Sequence, residues 1–121
     1  MMAGTVAENV RLGCPHAQDA VLREALDRCG ASSIPLKKRI ADDAEGLSAG
    51  ERRRVALARA LVRVEQAGAG LLVLDEPTAG LDADTEATVL EAVPASGASM
   101  LVVTHRRNII AAADVVVDLE V

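Results

Sequence analysis

Asp75 and Glu76 close the apolar run Leu71-Leu72-Val73-Leu74. Two carboxylates in that position lie at the carboxyl end of a buried strand, the edge at which open α/β sheets bind ligands. Hard carboxylate oxygen there suits Mg²⁺, which takes one or two protein carboxylates and completes its shell with water and phosphate oxygens. Asp75 is the candidate metal ligand. Glu76 is then placed to act as general base on an attacking water, a role worth roughly 10²–10⁴-fold. A second apolar run, Met100 to Val103, ends in Thr104-His105 and should bring His105 to the same edge. Upstream, Ser48-Ala49-Gly50-Glu51 fits the capping box S-x-x-E at the start of a helix. A helix N-terminus offers free amides and a positive dipole end to a phosphate, and Gly50 lets the backbone approach closely. Taken singly, each feature reads as a cap or a solvated turn. Their order along one chain makes coincidence a poor explanation.

The elements that position these residues follow from periodicity. Thr5 to Gly13 reads as a short helix, with Thr5 as cap and Gly13 as stop. Asp19 to Cys29 is a second helix, with Ala20, Val21, Ala25, Leu26 and Cys29 near one face and Gly30 at its end. Residues 31–46 read as an exposed connection. Ser48 to about Val64 is the best-formed helix, with Val55, Ala58, Leu61 and Val62 as its apolar stripe, broken by Gln66-Ala67-Gly68-Ala69-Gly70. Leu71–Leu74 is a strand expected to be covered on both faces. A helix over Thr85–Val93 is capped by Asp82 or Asp84, with Pro94 after its end. Met100–Val103 is a second strand, Arg106–Ala112 a short helix, and Val115-Val116-Val117 a third strand. That alternation predicts a parallel sheet with helical crossovers.

Composition narrows the function. The 121 residues suffice for one modest core. They contain no Phe, Tyr or Trp, so no base can stack on an aromatic of this chain. A net charge of −5 argues against a nucleic-acid partner. No run is long enough to cross a bilayer and no cleavable signal precedes the first helix. Cys14-Pro15-His16 offers two soft ligands where a zinc site normally gathers four, so both cysteines read as small buried or half-buried residues.

Leu47-Ser48-Ala49-Gly50-Glu51 with Arg52 to Leu61, Leu71 to Asp82, and Val102-Val103-Thr104-His105 together resemble the C-terminal half of an ABC transporter ATP-binding domain. In those terms they are the signature loop and helix, the Walker B strand with D-loop, and the switch histidine. The resemblance implies a partial phosphate-loop NTPase fold: a short parallel sheet plus part of a helical subdomain, with residues 1–46 as helical subdomain and connection and 47–121 as the core. It implies ATP and Mg²⁺ as ligands, with Asp75 on the metal, Glu76 as base and His105 holding Glu76 and the γ-phosphate. Ser48, Ala49, Gly50 and Glu51 would face a nucleotide held by a second ATPase subunit, and Asp82 would contact that subunit. A membrane domain of an exporter is the other implied partner, which places the whole at the inner face of the cell membrane. Thr5-Val6-Ala7-Glu8-Asn9-Val10 and the long Val64–Gly70 connection are most similar to the cysteine or glutathione exporter subunits of cytochrome bd assembly.

Departures from the family pattern matter. The usual Leu-Ser-Gly-Gly-Gln is Leu47-Ser48-Ala49-Gly50-Glu51 here, so a methyl is added and a carboxylate replaces an amide. Arg52 or Arg53 is expected to neutralise it. Ala41-Asp42-Asp43-Ala44 stands where exporters show Gly-Glu-x-Gly, which bears on contact with a membrane domain. A phosphate loop ends in Gly-Lys-Ser/Thr, yet Lys37 and Lys38 are the lysines and neither fits. The expectation is a fragment that completes a partner's site and does not hydrolyse ATP alone. The alternative is a non-catalytic interaction fragment that completes or regulates a partner ATPase. An ATPase acting on DNA or ribosomes is disfavoured by the acidic charge.

Overall fold

The computed structural model describes residues 2–41, 46–76 and 80–119. In chain order the elements are β1 (Gly4–Thr5), α1 (Val6–Arg11), α2 (Asp19–Arg28), β2 (Arg39–Ile40), α3 (Ala49–Ala67), β3 (Leu71–Asp75), α4 (Ala83–Ala95), β4 (Ser99–Val103) and α5 (Arg107–Ala112). The Asp42-Asp43-Ala44 part of the exporter-like position and Pro77-Thr78-Ala79 lie outside the described residues.

Thr5 caps α1 through Glu8 N, 3.1 Å from the Thr5 hydroxyl. Asn9 is buried because its amide is satisfied on both sides: Nδ2 donates to Met2 O and Thr5 O, and Oδ1 accepts from Met2 N. Gly13 does more than stop the helix. A Cβ there would lie 2.4 Å from the Arg59 carbonyl and 3.1 Å from Arg63 N, so only glycine lets this turn rest on α3. On α2 the buried residues are Leu22, Ala25 and Leu26, followed by Cys29. Ala20 faces solvent and Leu22 is buried in its place, while Ala25, Leu26 and Cys29 are buried as the periodicity expects.

Residues 31–40 are not simply an exposed connection. Ala31, Ile34 and Ile40 are buried, and β2 pairs antiparallel with β1 through Gly4–Ile40 and Thr5–Arg39. Arg23 holds the segment to α2, donating to Ile34 O at 2.8 Å and Ala31 O at 2.9 Å. Arg28 and Glu65 form a bidentate pair, at 2.8 and 2.9 Å, that ties α2 to α3.

The long helix α3 buries Val55, Ala58, Leu61 and Val62 as the periodicity requires, with Leu57 and Val64 added. It runs past Val64 and ends at Gly68, whose φ of 71° forms a left-handed cap. Helix α4 starts at the Asp82 cap, not at Asp84, and carries Pro94 inside its last turn instead of beyond its end. The proline ring presses on the preceding turn, but the helix ends one residue later at Ala95, so a kink there has little helix left to deflect.

Strands β3 and β4 are parallel and in register from Leu71–Ser99 to Asp75–Val103. One face of this pair packs on the core through Leu72, Leu74 and Met100. The other face, with Leu71, Val73, Leu101 and Val103, is more than half exposed. The expectation of cover on both faces is therefore corrected: among the described residues only one face is covered. Val115-Val116-Val117 is not a strand. The segment has no regular structure, pairs with neither β3 nor β4, and is exposed.

Candidate functional site

Strand β3 ends at Asp75, and the next residue turns sharply. Glu76 has φ of 46°, the left-handed region that L side chains seldom occupy. Its amide still donates to Val103 O at 2.8 Å, so the ladder to β4 continues one residue past the strand. The turn carries the Glu76 carboxylate to the tip of β4. There Glu76 Oε1 lies 2.7 Å from His105 Nδ1 and 3.2 Å from the His105 amide. The Thr104 hydroxyl donates to Glu76 Oε2 at 3.3 Å and itself accepts from Arg106 N at 3.0 Å. A carboxylate only accepts, so the imidazole contact places a proton on Nδ1. Glu76 is 29 % exposed and His105 90 %, so the pair forms a rim with the imidazole outermost. Asp75 is exposed beside it at the strand end. Its hard oxygens at a carboxyl edge fit Mg²⁺. Among the described residues no three His, Cys, Asp or Glu side chains gather as a metal site.

The candidate phosphate-facing loop is a separate piece of structure. Ser48 Oγ accepts from Glu51 N at 3.1 Å, and Glu51 Oε1 accepts from Ser48 N at 2.9 Å, closing the capping box. The bond from the Ser48 amide is the main cause that lowers the Glu51 acid below its ordinary value, with Lys38 and Arg54 adding favourable charge. The favourable charge on Glu51 comes from Lys38 and Arg54, where Arg52 or Arg53 was expected. Ala49 is the first helical residue, so the φ restriction added by its methyl costs nothing. Gly50 is not required by packing: a Cβ there would meet only the flexible end of Arg54, at 3.4 Å.

Asp82 caps α4 by accepting from Thr85 N at 2.8 Å, and that bond lowers its acid. A cleft of about 280 Å³ lies between α3 and β3, lined by Arg53, Leu57, Ala60, Leu72 and Leu74 and reaching Asp75 and Glu76. Cys14 is half-buried and Cys29 buried, and neither belongs to a metal cluster of the described residues.

The structure thus brings Glu76 and His105 together and sets Asp75 beside them. Ser48, Ala49, Gly50 and Glu51 form the start of α3, and Asp82 the start of α4. Thr104 was legible only as part of the Thr-His pair, not as a donor to Glu76. Glu86, Arg106 and Asn108 were missed: Glu86 forms an ion pair with Arg106 and accepts a hydrogen bond from Asn108. One signal could have found them: Glu86, Val89 and Val93 share a helix face, and Glu86 is the charged residue on that apolar stripe.

A parallel strand pair with an acid pair at one tip, a histidine at the next, and a capped helix bearing the signature loop defines the class: a phosphate-loop-NTPase-like α/β fold of ABC ATPase type. The ABC transporter family model matches residues 1–79. The chain belongs to the ABC transporter family. The family's ATPases couple ATP hydrolysis to transport.

Similar relatives include the glutathione/L-cysteine transport system ATP-binding/permease protein CydD of Haemophilus influenzae, 39% identical over 112 residues, covering 88% of this chain and 18% of that protein. The mitochondrial potassium channel ATP-binding subunit of Xenopus tropicalis is 36% identical, covering 95% of this chain and 17% of that protein. A solved bacterial Atm1-family ABC exporter with ATP bound has a TM-score of 0.75 at 27% identity, covering 94% of this chain and 21% of that one. The chain spans about a fifth of the length of the relatives it matches.

Proposed function

We propose that this segment supplies the hydrolytic edge of an exporter-type ABC ATPase, with ATP as substrate. The observation that carries this is the 2.7 Å contact between Glu76 Oε1 and His105 Nδ1 at the adjoining tips of two parallel strands. Glu76 takes a proton from the attacking water. His105 and Thr104 each hold one of its carboxylate oxygens, so the base is oriented before substrate arrives. The His105 ring is 90 % exposed, which leaves it open to a phosphate oxygen while Nδ1 contacts Glu76. Asp75 is the residue that would hold Mg²⁺, which when bound neutralises charge on the phosphate oxygens.

Ser48 and Gly50 serve a second nucleotide, held by a partner ATPase subunit. Support comes from Gly50: glycine is a poor helix former, and no intramolecular contact here demands it. An approaching phosphate would. Asp82 faces the same partner. The phosphate loop that grips the triphosphate at Asp75 and Glu76 lies on another stretch of polypeptide, since backbone amides and a lysine are needed to retain ATP. The whole protein places this segment on the cytoplasmic side, against a membrane domain. Among the described residues no helix is long and apolar enough to cross a membrane. Export of a thiol such as cysteine or glutathione is the proposed transport, supported by the similarity to the glutathione/L-cysteine system proteins of Haemophilus influenzae and Escherichia coli.

In a polypeptide that joins this sequence to its phosphate loop, Glu76→Gln should lower kcat for ATP hydrolysis by roughly 10²–10⁴-fold while nucleotide binding persists. Unchanged kcat would refute the assignment of the base.

A further inference from the structure

Behind the Glu76–His105 pair lies a buried carboxylate that no step above uses. Glu86 is 4 % exposed, one turn into α4, on the face that also buries Val89 and Val93. Its Oε2 lies 2.8 Å from Arg106 Nη1, and its Oε1 accepts from Asn108 Nδ2. Arg106 directly follows His105, and Asn108 comes three residues after it. Burying a charge on an apolar face is unfavourable unless it is paired, and a hydrophobic residue would pack α4 at least as well. The charge makes sense if what it holds matters.

What it holds is the segment that aims the site. Arg106 is held by its guanidinium at Glu86 and by its amide on the Thr104 hydroxyl at 3.0 Å. That hydroxyl donates to Glu76 Oε2, and the residue between them, His105, contacts Glu76 Oε1. Glu86 is joined to the start of α4 as well, since its amide donates to Asp82 O at 2.9 Å. We propose that Glu86 is a positioning residue for the Glu76–His105 pair, acting through Arg106 and Asn108 to hold the Thr104–His105 turn against the Asp82 end of α4. This deepens the proposed function and rests on its assignment of Glu76 and His105.

The chain has two histidines, His16 and His105, so an imidazole nitrogen spectrum resolves the site and carries its own reference. It is recorded without nucleotide, at a pH where both rings are neutral. In the wild-type protein His105 should carry its proton on Nδ1. Glu86→Leu, which keeps apolar packing, should shift the Nδ1–H to Nε2–H ratio of His105 severalfold towards the Nε2–H form and leave His16 unchanged. Val89→Ala, on the same helix face but outside the network, should leave His105 as it was. If Glu86→Leu does not fold, Arg106→Gln and Asn108→Ala carry the same expectation. A wild-type Nε2–H ring, an unchanged His105 in the folded network variants, or an equal shift in Val89→Ala would each overturn the proposal. Because no ATP is present, that failure is distinct from a failure of hydrolysis, which would strike the proposed function instead.

Discussion

Glu76 occupies the left-handed region at φ 46°, a conformation that costs a non-glycine residue about 1–3 kcal/mol. Surrounding bonds hold it there: its amide to Val103 O and its carboxylate to Thr104 and to the His105 amide and ring. The sequence made Glu76 and His105 legible because apolar runs fix where two strand tips fall. It could not reveal the turn, because nothing in the residue type marks a strained glutamate. The same holds for Thr104, whose hydroxyl finds Glu76 only after β3 and β4 pair. Cys29 gives a test at this scale. Burial pushes its thiol up from 9.0 to about 12, against the opposing pull of Arg28. Below the unfolded value both states keep the proton, and pH has no effect through this group. Above it the unfolded chain ionises while the folded chain does not, so the unfolded state is favoured as pH rises from 9.0 towards about 12. Stability measured by denaturant titration should fall in that window by up to about 1.4 kcal/mol per pH unit. In Cys29→Ala the slope should shrink; an identical slope would show that another group causes it.

At the scale of elements, the helices were the readable part. α2, α3, α4 and α5 each begin within two residues of where capping and periodicity put them, since these signals are local. The β1–β2 pairing was not legible, because two-residue strands have no period and their partners lie far along the chain, Gly4 with Ile40 and Thr5 with Arg39. Nor was the contact of Gly13 with α3. A glycine after a short helix reads as a stop signal, and its second role is seen only where the Arg59 carbonyl sits 2.4 Å from the absent Cβ. The neighbouring atoms are backbone and cannot swing away. Gly13→Ala should therefore destabilise the protein by about 1–3 kcal/mol, the usual cost of overpacking. Equilibrium unfolding would show it, and a loss under about 0.5 kcal/mol, the ordinary range for a surface change, would mean that α1 moves off α3 freely.

The whole molecule is lopsided. The helices α1 to α4 share an aromatic-free core of Val, Leu, Ile and Ala, while β3 and β4 present a face of Leu71, Val73, Leu101 and Val103 to solvent. The sequence forecast that face as covered, because continuous apolar strands are normally sandwiched. The forecast fails among the described residues. An exposed apolar face on a two-stranded sheet favours self-association. Sedimentation of the chain alone should show concentration-dependent association, and Val73→Lys should reduce it; a monomer at all concentrations would contradict this. The most direct measurement is ATP hydrolysis by the isolated chain with Mg²⁺. If Asp75, Glu76 and His105 form a hydrolytic edge whose substrate is gripped by other polypeptide, no turnover above buffer is expected. Turnover by the isolated chain that Glu76→Gln abolishes would contradict it.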